Sequence, residues 1–100
     1  MTLTINQAAE AINATLEGRL DTAAASQFAI DIQPLLDNAD KHITLDCKKL
    51  DFIASSGLRL FLSLRKASIA AGGKVTICNV QENVKQVFVI TGFYSLFEIV

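Results

Sequence analysis

Two hydroxyls and a glycine, Ser55-Ser56-Gly57, stand between an apolar strand-like run and a long apolar helix-like run, inside the stretch Leu50-Asp51-Phe52-Ile53-Ala54-Ser55-Ser56-Gly57-Leu58-Arg59. Where a strand ends and a helix begins, the first-turn N–H groups have no acceptor within the helix and are available to an oxygen ligand or an anion. A serine at that junction can be an N-cap, which stabilises a helix by about 1 kcal/mol, and either Ser55 or Ser56 suits that role. It can also accept a phosphate. Two adjacent serines exceed what a cap requires, and Gly57 lets another backbone approach closely, so the stretch reads as a docking surface.

Phosphorylation would add a charge near −2 and three acceptor oxygens beside the positive end of the helix. An anion there is favoured by about 0.3–1 kcal/mol, so the modified chain need not refold. A partner matched to the bare hydroxyl would instead meet desolvation and steric conflict, and a loss of about 2.7 kcal/mol already weakens binding 100-fold. Arg59 lies one turn after Ser56, within reach of a phosphate, although an exposed arginine on a wet helix face is the simpler reading. Hydrolytic chemistry is poorly served. Ser56 has no G-x-S-x-G elbow, and the only histidine, His42, precedes the strand that leads to it, where a surface or edge position explains it. Cys47 and Cys78 end apolar alternating runs and read as small core residues. Without a CxxC pair or a histidine cluster no metal site is expected, and without a Gly-rich loop carrying a lysine no nucleotide site. No catalytic residue and no cofactor are assigned.

The elements that must position Ser55 and Ser56 follow from the pattern on either side. Thr2 to Asn6 and Ala11 to Leu16 alternate as two strands of a hairpin, and Gly18 suggests a bend or bulge in the strand where the second run ends. Asp21 is a good N-cap for an alanine-rich helix from Thr22 to about Asn38, which Pro34 kinks or restarts. Ile43, Leu45 and Cys47 form the third strand, and Lys48, Lys49 and Asp51 a short charged loop. A helix from Ser56 to Ala71 has a wide apolar stripe and should cover a sheet, stopping at Gly72-Gly73. Val75 to Asn79 is a fourth strand, Gln81 to Thr91 a helix, and Ser95 to Val100 a last short strand. The order β-β-α-β-α-β-α-β predicts a single α/β domain over residues 1–100, a mixed central sheet with helices mainly on one face.

Composition agrees and removes several function classes. Apolar residues make up 51% of the 100 residues and charged residues 19%, which excludes a disordered chain. A net charge of −1 gives no field to draw in nucleic acid. No apolar run approaches the roughly 20 residues of a membrane span, and the N-terminus lacks a signal-peptide pattern, so a cytoplasmic location without membrane insertion is expected.

Taken in order, these motifs resemble STAS domains, specifically bacterial anti-sigma factor antagonists. Ile43-Thr44-Leu45-Asp46-Cys47 followed by Phe52-Ile53-Ala54-Ser55-Ser56-Gly57-Leu58-Arg59 is similar to that family's strand and D-S-S-G-L-type loop. Gly18-Arg19-Leu20-Asp21 resembles its G-x-L-D turn, and Val84-Lys85-Gln86-Val87-Phe88 with Thr91-Gly92-Phe93 and Leu96-Phe97 its closing helix and strand. The resemblance implies a non-catalytic regulator that binds an anti-sigma factor with a serine protein kinase fold and is switched off by phosphorylation, with a phosphatase to reset it. It places the phosphorylated serine at Ser56, with Ser55 as a secondary acceptor, and the partner-binding surface at Asp21, Ala54, Ser55, Ser56, Gly57 and Arg59. One position departs from the pattern: Ala54 stands where an aspartate usually precedes the two serines. Another branch of the fold implies an alternative role, a structural subunit of a lipid-transport ABC complex.

Overall fold

The alternating strands of the sequence assemble, in a computed structural model describing residues 1–100, into one five-stranded sheet in the order β1-β2-β3-β4-β5. The strands are β1 (Thr2–Gln7), β2 (Ala11–Leu20), β3 (His42–Ile53), β4 (Lys74–Cys78) and β5 (Glu98–Ile99). β1 runs antiparallel to β2 as the expected hairpin, and every later pairing is parallel. The sheet is therefore mixed, with β3 at its centre.

Four helices connect the strands: α1 (Thr22–Asp31), α2 (Gln33–Asp37), α3 (Ser55–Ala71) and α4 (Glu82–Ile90), with a 3-10 turn at Tyr94–Leu96. Of the two readings for the segment Thr22 to Asn38, a kink or a restart at Pro34, the structure shows the restart: there are two helices. Pro34 falls in the first turn of α2, where its missing N–H has no intrahelical acceptor to lose and its fixed φ suits a helix start. Asp21 caps α1 as the sequence suggests, accepting a 2.8 Å hydrogen bond from the Ala24 N–H.

Burial shows which face the helices cover. Ile12, Ala14 and Leu16 of β2 stand level with Ile43, Leu45 and the buried face of β3, and Val75 and Ile77 of β4 continue the same rows. The intervening Asn13, Thr15, Thr44 and Asp46 form a wetter second face. On the covered face Phe61 of α3 is the hub: its ring lies 6.0 Å from Phe28 of α1, 6.1 Å from Phe88 of α4 and 6.4 Å from Phe97. Each such ring, fully buried, contributes about 1.5–3 kcal/mol, with a further increment for the tilted and edge-on pairing. No helix is long and apolar enough to cross a membrane.

The charged loop expected at Lys48, Lys49 and Asp51 is strand. β3 continues to Ile53 because two bulges absorb those residues: Thr15 and Glu17 of β2 face Asp46 and Lys49, and Gly18 and Arg19 face Leu50 and Phe52. Each bulge adds one residue to β3, so the buried positions run 43, 45, 47, 50, 53 in place of strict alternation. That broken period is why the stretch reads as a loop. The last expected strand, Ser95 to Val100, is by contrast shorter, only Glu98–Ile99, with Ser95 and Leu96 in the 3-10 turn. His42 is exposed, but on the central strand and not at an edge, with Nε2 2.9 Å from Thr76 Oγ1.

Both cysteines are free. Burial first, then Cys78 and Asp46, push the Cys47 thiol from 9.0 up to about 12, and burial with Asp46 raises Cys78 as well. Because the thiol is harder to ionise folded than unfolded, the stability Cys47 contributes is intact below about pH 9 and is lost as pH rises toward 12. At pH 8 a thiol reagent should label Cys78 more slowly than free cysteine and leave Cys47 unlabelled until denaturant is added. Labelling of both thiols in the native protein would contradict this packing.

Candidate functional site

The two serines sit at the carboxyl end of β3, and local packing explains their placement. Ile53 and Leu20 are buried at the ends of β3 and β2, and the Ala54 N–H donates to the Leu20 carbonyl at 2.9 Å, locking the two strand ends side by side. Asp21 therefore emerges beside Ala54. The chain then turns into α3, whose first turn lies directly on Leu20 and Ile53. A Cβ at Gly57 would stand 2.7 Å from Leu20 Cγ and 3.1 Å from Ile53 Cγ1, so only glycine allows this approach. The loop and helix start are held by backbone contact and by a residue without a side chain.

Neither serine is the N-cap. That position is Ala54, in extended conformation at φ −92°, ψ 167°, and no side chain caps α3. The expected cap therefore moves one residue earlier, onto an alanine that has no oxygen to offer, leaving first-turn N–H groups free. Ser55 is exposed at the first helical position. Ser56 is half-buried, and its Oγ is shut off from solvent with no hydrogen-bond partner. A buried hydroxyl without a partner is uncommon and costs about 1–3 kcal/mol relative to a satisfied one. Arg59 is exposed one turn further along, and no carboxylate pairs with it, since the only salt bridge joins Lys74 and Glu98 at 3.1 Å.

The structure thus brings Asp21, Ala54, Ser55, Ser56 and Gly57 to one end of the sheet, with Arg59 on the adjoining helix face. It also adds residues that sequence reasoning missed. The Arg19 guanidinium lies 4.4 Å from the centre of the Phe52 ring, across the second bulge. Gln81 donates to the Lys48 carbonyl at 2.8 Å and to Asp51 Oδ1 at 3.3 Å, and Asn83 to the Asp51 carbonyl at 2.6 Å. The segment leading into α4 therefore braces the bulged end of β3. No local pattern announces those contacts, because they join residues 30 to 33 apart.

This arrangement suits recognition better than reaction. His42 opens the 12-residue strand β3 and Ser56 lies beyond its other end, roughly 30 Å away at strand rise, so the imidazole cannot act on the hydroxyl. The two surface cavities, about 220 Å³ beside Ser68 and about 350 Å³ beside His42, lie at the amino ends of the parallel strands, away from the serines. No three His, Cys, Asp or Glu side chains converge anywhere in the molecule. What the serine end offers is a helix start with free N–H groups, the exposed Ser55 hydroxyl, the Ser56 hydroxyl held just beneath the surface, and an unpaired arginine.

Two substitutions test this geometry. Ala54→Asp should restore the missing cap and raise the unfolding free energy by about 1 kcal/mol, a rise of about 4–8 °C in Tm, whereas an unchanged midpoint would show that α3 is already satisfied. Gly57→Ala should do the opposite in urea titration, losing about 1–2 kcal/mol, because overpacking against Leu20 outweighs the gain in helix propensity.

Comparison with known proteins gives the same fold and adds relatives. The STAS domain family model matches residues 3–100. BtrV of Bordetella bronchiseptica, which carries the name of an anti-sigma factor antagonist, is 31% identical over 99 residues, 99% of this chain and 85% of its own. Among solved structures, the anti-sigma factor antagonist SpoIIAA in its unphosphorylated form superposes with a TM-score of 0.81 at 24% identity, covering 99% of this chain and 88% of that one. The Bacillus cell fate determinant SpoIIAA in its phosphorylated form gives 0.73 at 22%, covering 99% and 91%. With a family model matching residues 3–100 and a 31% identical relative covered over 85% of its length, the chain belongs to the STAS domain family.

Proposed function

We propose that this chain is an anti-sigma factor antagonist that docks through the end of the sheet formed by Asp21, Ala54, Ser55, Ser56 and Gly57. Its partner is a cytosolic anti-sigma factor with a serine-kinase fold, and phosphorylation of Ser56 ends the contact. The 100 residues act as one STAS domain without catalytic machinery, and a phosphatase resets the switch. The observation that carries this reading is the Ser56 hydroxyl, buried and without a partner, beside free N–H groups at an uncapped helix start. A hydroxyl that forms no bond where it lies gives up none when its side chain rotates outward to accept a phosphate.

The same position is suited to a switch. A phosphate on Ser56 faces the positive end of α3, where the free domain gains about 0.3–1 kcal/mol from the anion, so modification need not unfold it. An interface closed over the bare hydroxyl must instead desolvate a charge near −2. Transfer to Ser56 requires its side chain to rotate outward from its buried position, which the docked kinase would stabilise. Ser55, already exposed, is the secondary acceptor, and Arg59 lies where it could neutralise either phosphate. Ala54 removes the acidic neighbour usual at this point, so acceptor orientation falls to Asp21 and to the helix start.

Pull-down from the native cytosol with the unmodified chain should retain one kinase-fold protein, and intact-mass analysis should find a single added phosphate after incubation with it and ATP. Ser56→Asp should bind that protein about 100-fold more weakly, a loss of about 2.7 kcal/mol, while Ser56→Ala keeps binding and loses the phosphate. Equal affinity of Ser56→Asp and wild type would remove Ser56 from the switch. Retention of a transporter ATPase, indifferent to Ser56→Asp, would replace this function altogether.

A further inference from the structure

β1 is an edge strand whose outer side lacks the usual protection. It pairs with β2 alone, its register is unbroken, and Thr-Leu-Thr-Ile-Asn-Gln contains no charge and no proline. Edges that stay single ordinarily carry a lysine, a proline or a bulge, or are very short. The opposite edge follows that rule: β5 is two residues long and Glu98 is paired with Lys74.

The hairpin sets which backbone groups of β1 face outward. The Ala8 N–H donates to the Ala11 carbonyl at 2.9 Å, so these two residues form a hydrogen-bonded pair. Bonded pairs alternate along an antiparallel ladder, which assigns the bonds to Asn6–Asn13, Thr4–Thr15 and Thr2–Glu17. The N–H and C=O groups of Leu3, Ile5 and Gln7 therefore point away from the sheet. The side chains of Leu3 and Ile5, level with Leu16 and Ala14, lie on the helix-covered face and are only partly buried against the core.

We propose that β1 pairs with β1 of a second copy of this chain, antiparallel, about a twofold axis through Ile5. In that register Ile5 opposes Ile5 and Leu3 opposes Gln7, so every outward N–H meets an outward carbonyl and the two five-stranded sheets become continuous. Half-buried Ile5 packs against its own equivalent and Leu3 against the diagonal Ile5 of the second copy, extending the apolar face across the seam. A like copy is favoured over a charged strand because Thr2–Gln7 holds no ionisable side chain: copies meet without repulsion, and a charged peptide finds no complement. The surface is separate from the serine loop and stands whether or not Ser56 is a switch.

Sedimentation equilibrium from about 10 µM to 1 mM, with residue-resolved amide exchange, tests this. The mean mass should climb toward twice the monomer, and the Leu3, Ile5 and Gln7 amides should slow in step, while Thr4 and Asn6 stay protected at every concentration. Gln7→Pro removes an outward N–H without touching a β1–β2 bond and should weaken self-association about tenfold or more at an unchanged Tm. Should the proline lower Tm, Thr4→Lys gives an edge charge on an exposed side chain and the same loss is expected. A monomer throughout with fast exchange at Leu3, Ile5 and Gln7 would overturn the pairing. So would a dimer indifferent to both variants, or protection that appears only when a different protein is added.

Discussion

The approach of α3 to the ends of β2 and β3 is the constraint on which the serine loop depends. Gly57 lies where any Cβ would press on Leu20 and Ile53, and both of those residues are buried at their strand ends. Because the helix start sits directly on the sheet, α3 is driven along it at an angle that brings Phe61 among Phe28, Phe88 and Phe97. The aromatic hub and the serine loop are two ends of the same rigid helix. A displacement at Gly57 is therefore felt at Ser55 and Ser56 and also through the core.

β3 has a second task, which its bulges accomplish. Two extra residues relative to β2 carry Lys48, Lys49 and Asp51 along the sheet and still return Leu50 and Ile53 to the core. A bulge weakens the ladder locally, and here side chains compensate: Gln81 and Asn83 hold the Lys48 and Asp51 carbonyls, and Arg19 stacks on Phe52. Those contacts stiffen the segment that presents the loop. A docking surface benefits, since a loop already ordered loses less conformational entropy when a partner closes over it.

The polar chemistry of the loop is left incomplete in the free domain. α3 starts on an alanine with no cap, and the Ser56 hydroxyl has no partner. Two unmet demands at one place, free donors and an idle hydroxyl, are a local cost in stability that a binding partner or a phosphate could offset. Sites where sequence rules are broken are commonly those kept for function, although an idle buried hydroxyl is not by itself such a site, since Ser68 at the other end of α3 has one too.

From the sequence alone, periodicity determined the β1–β2 hairpin, the alternation of later strands with helices and the Asp21 cap, because these depend on residues near one another. Tertiary structure decided the rest. Whether Lys48 to Asp51 is loop or strand turned on two bulges that exist only against β2. That Ala54 and not a serine occupies the N-cap position of α3 follows from the Ala54 to Leu20 backbone bond, which sets where the helix begins. The Gln81, Asn83 and Arg19 contacts join elements distant in sequence. So the two serines were legible at the junction of β3 and α3, but their difference was not: Ser55 exposed and Ser56 hidden without a partner is a property of how α3 packs on the sheet, and no local pattern encodes it.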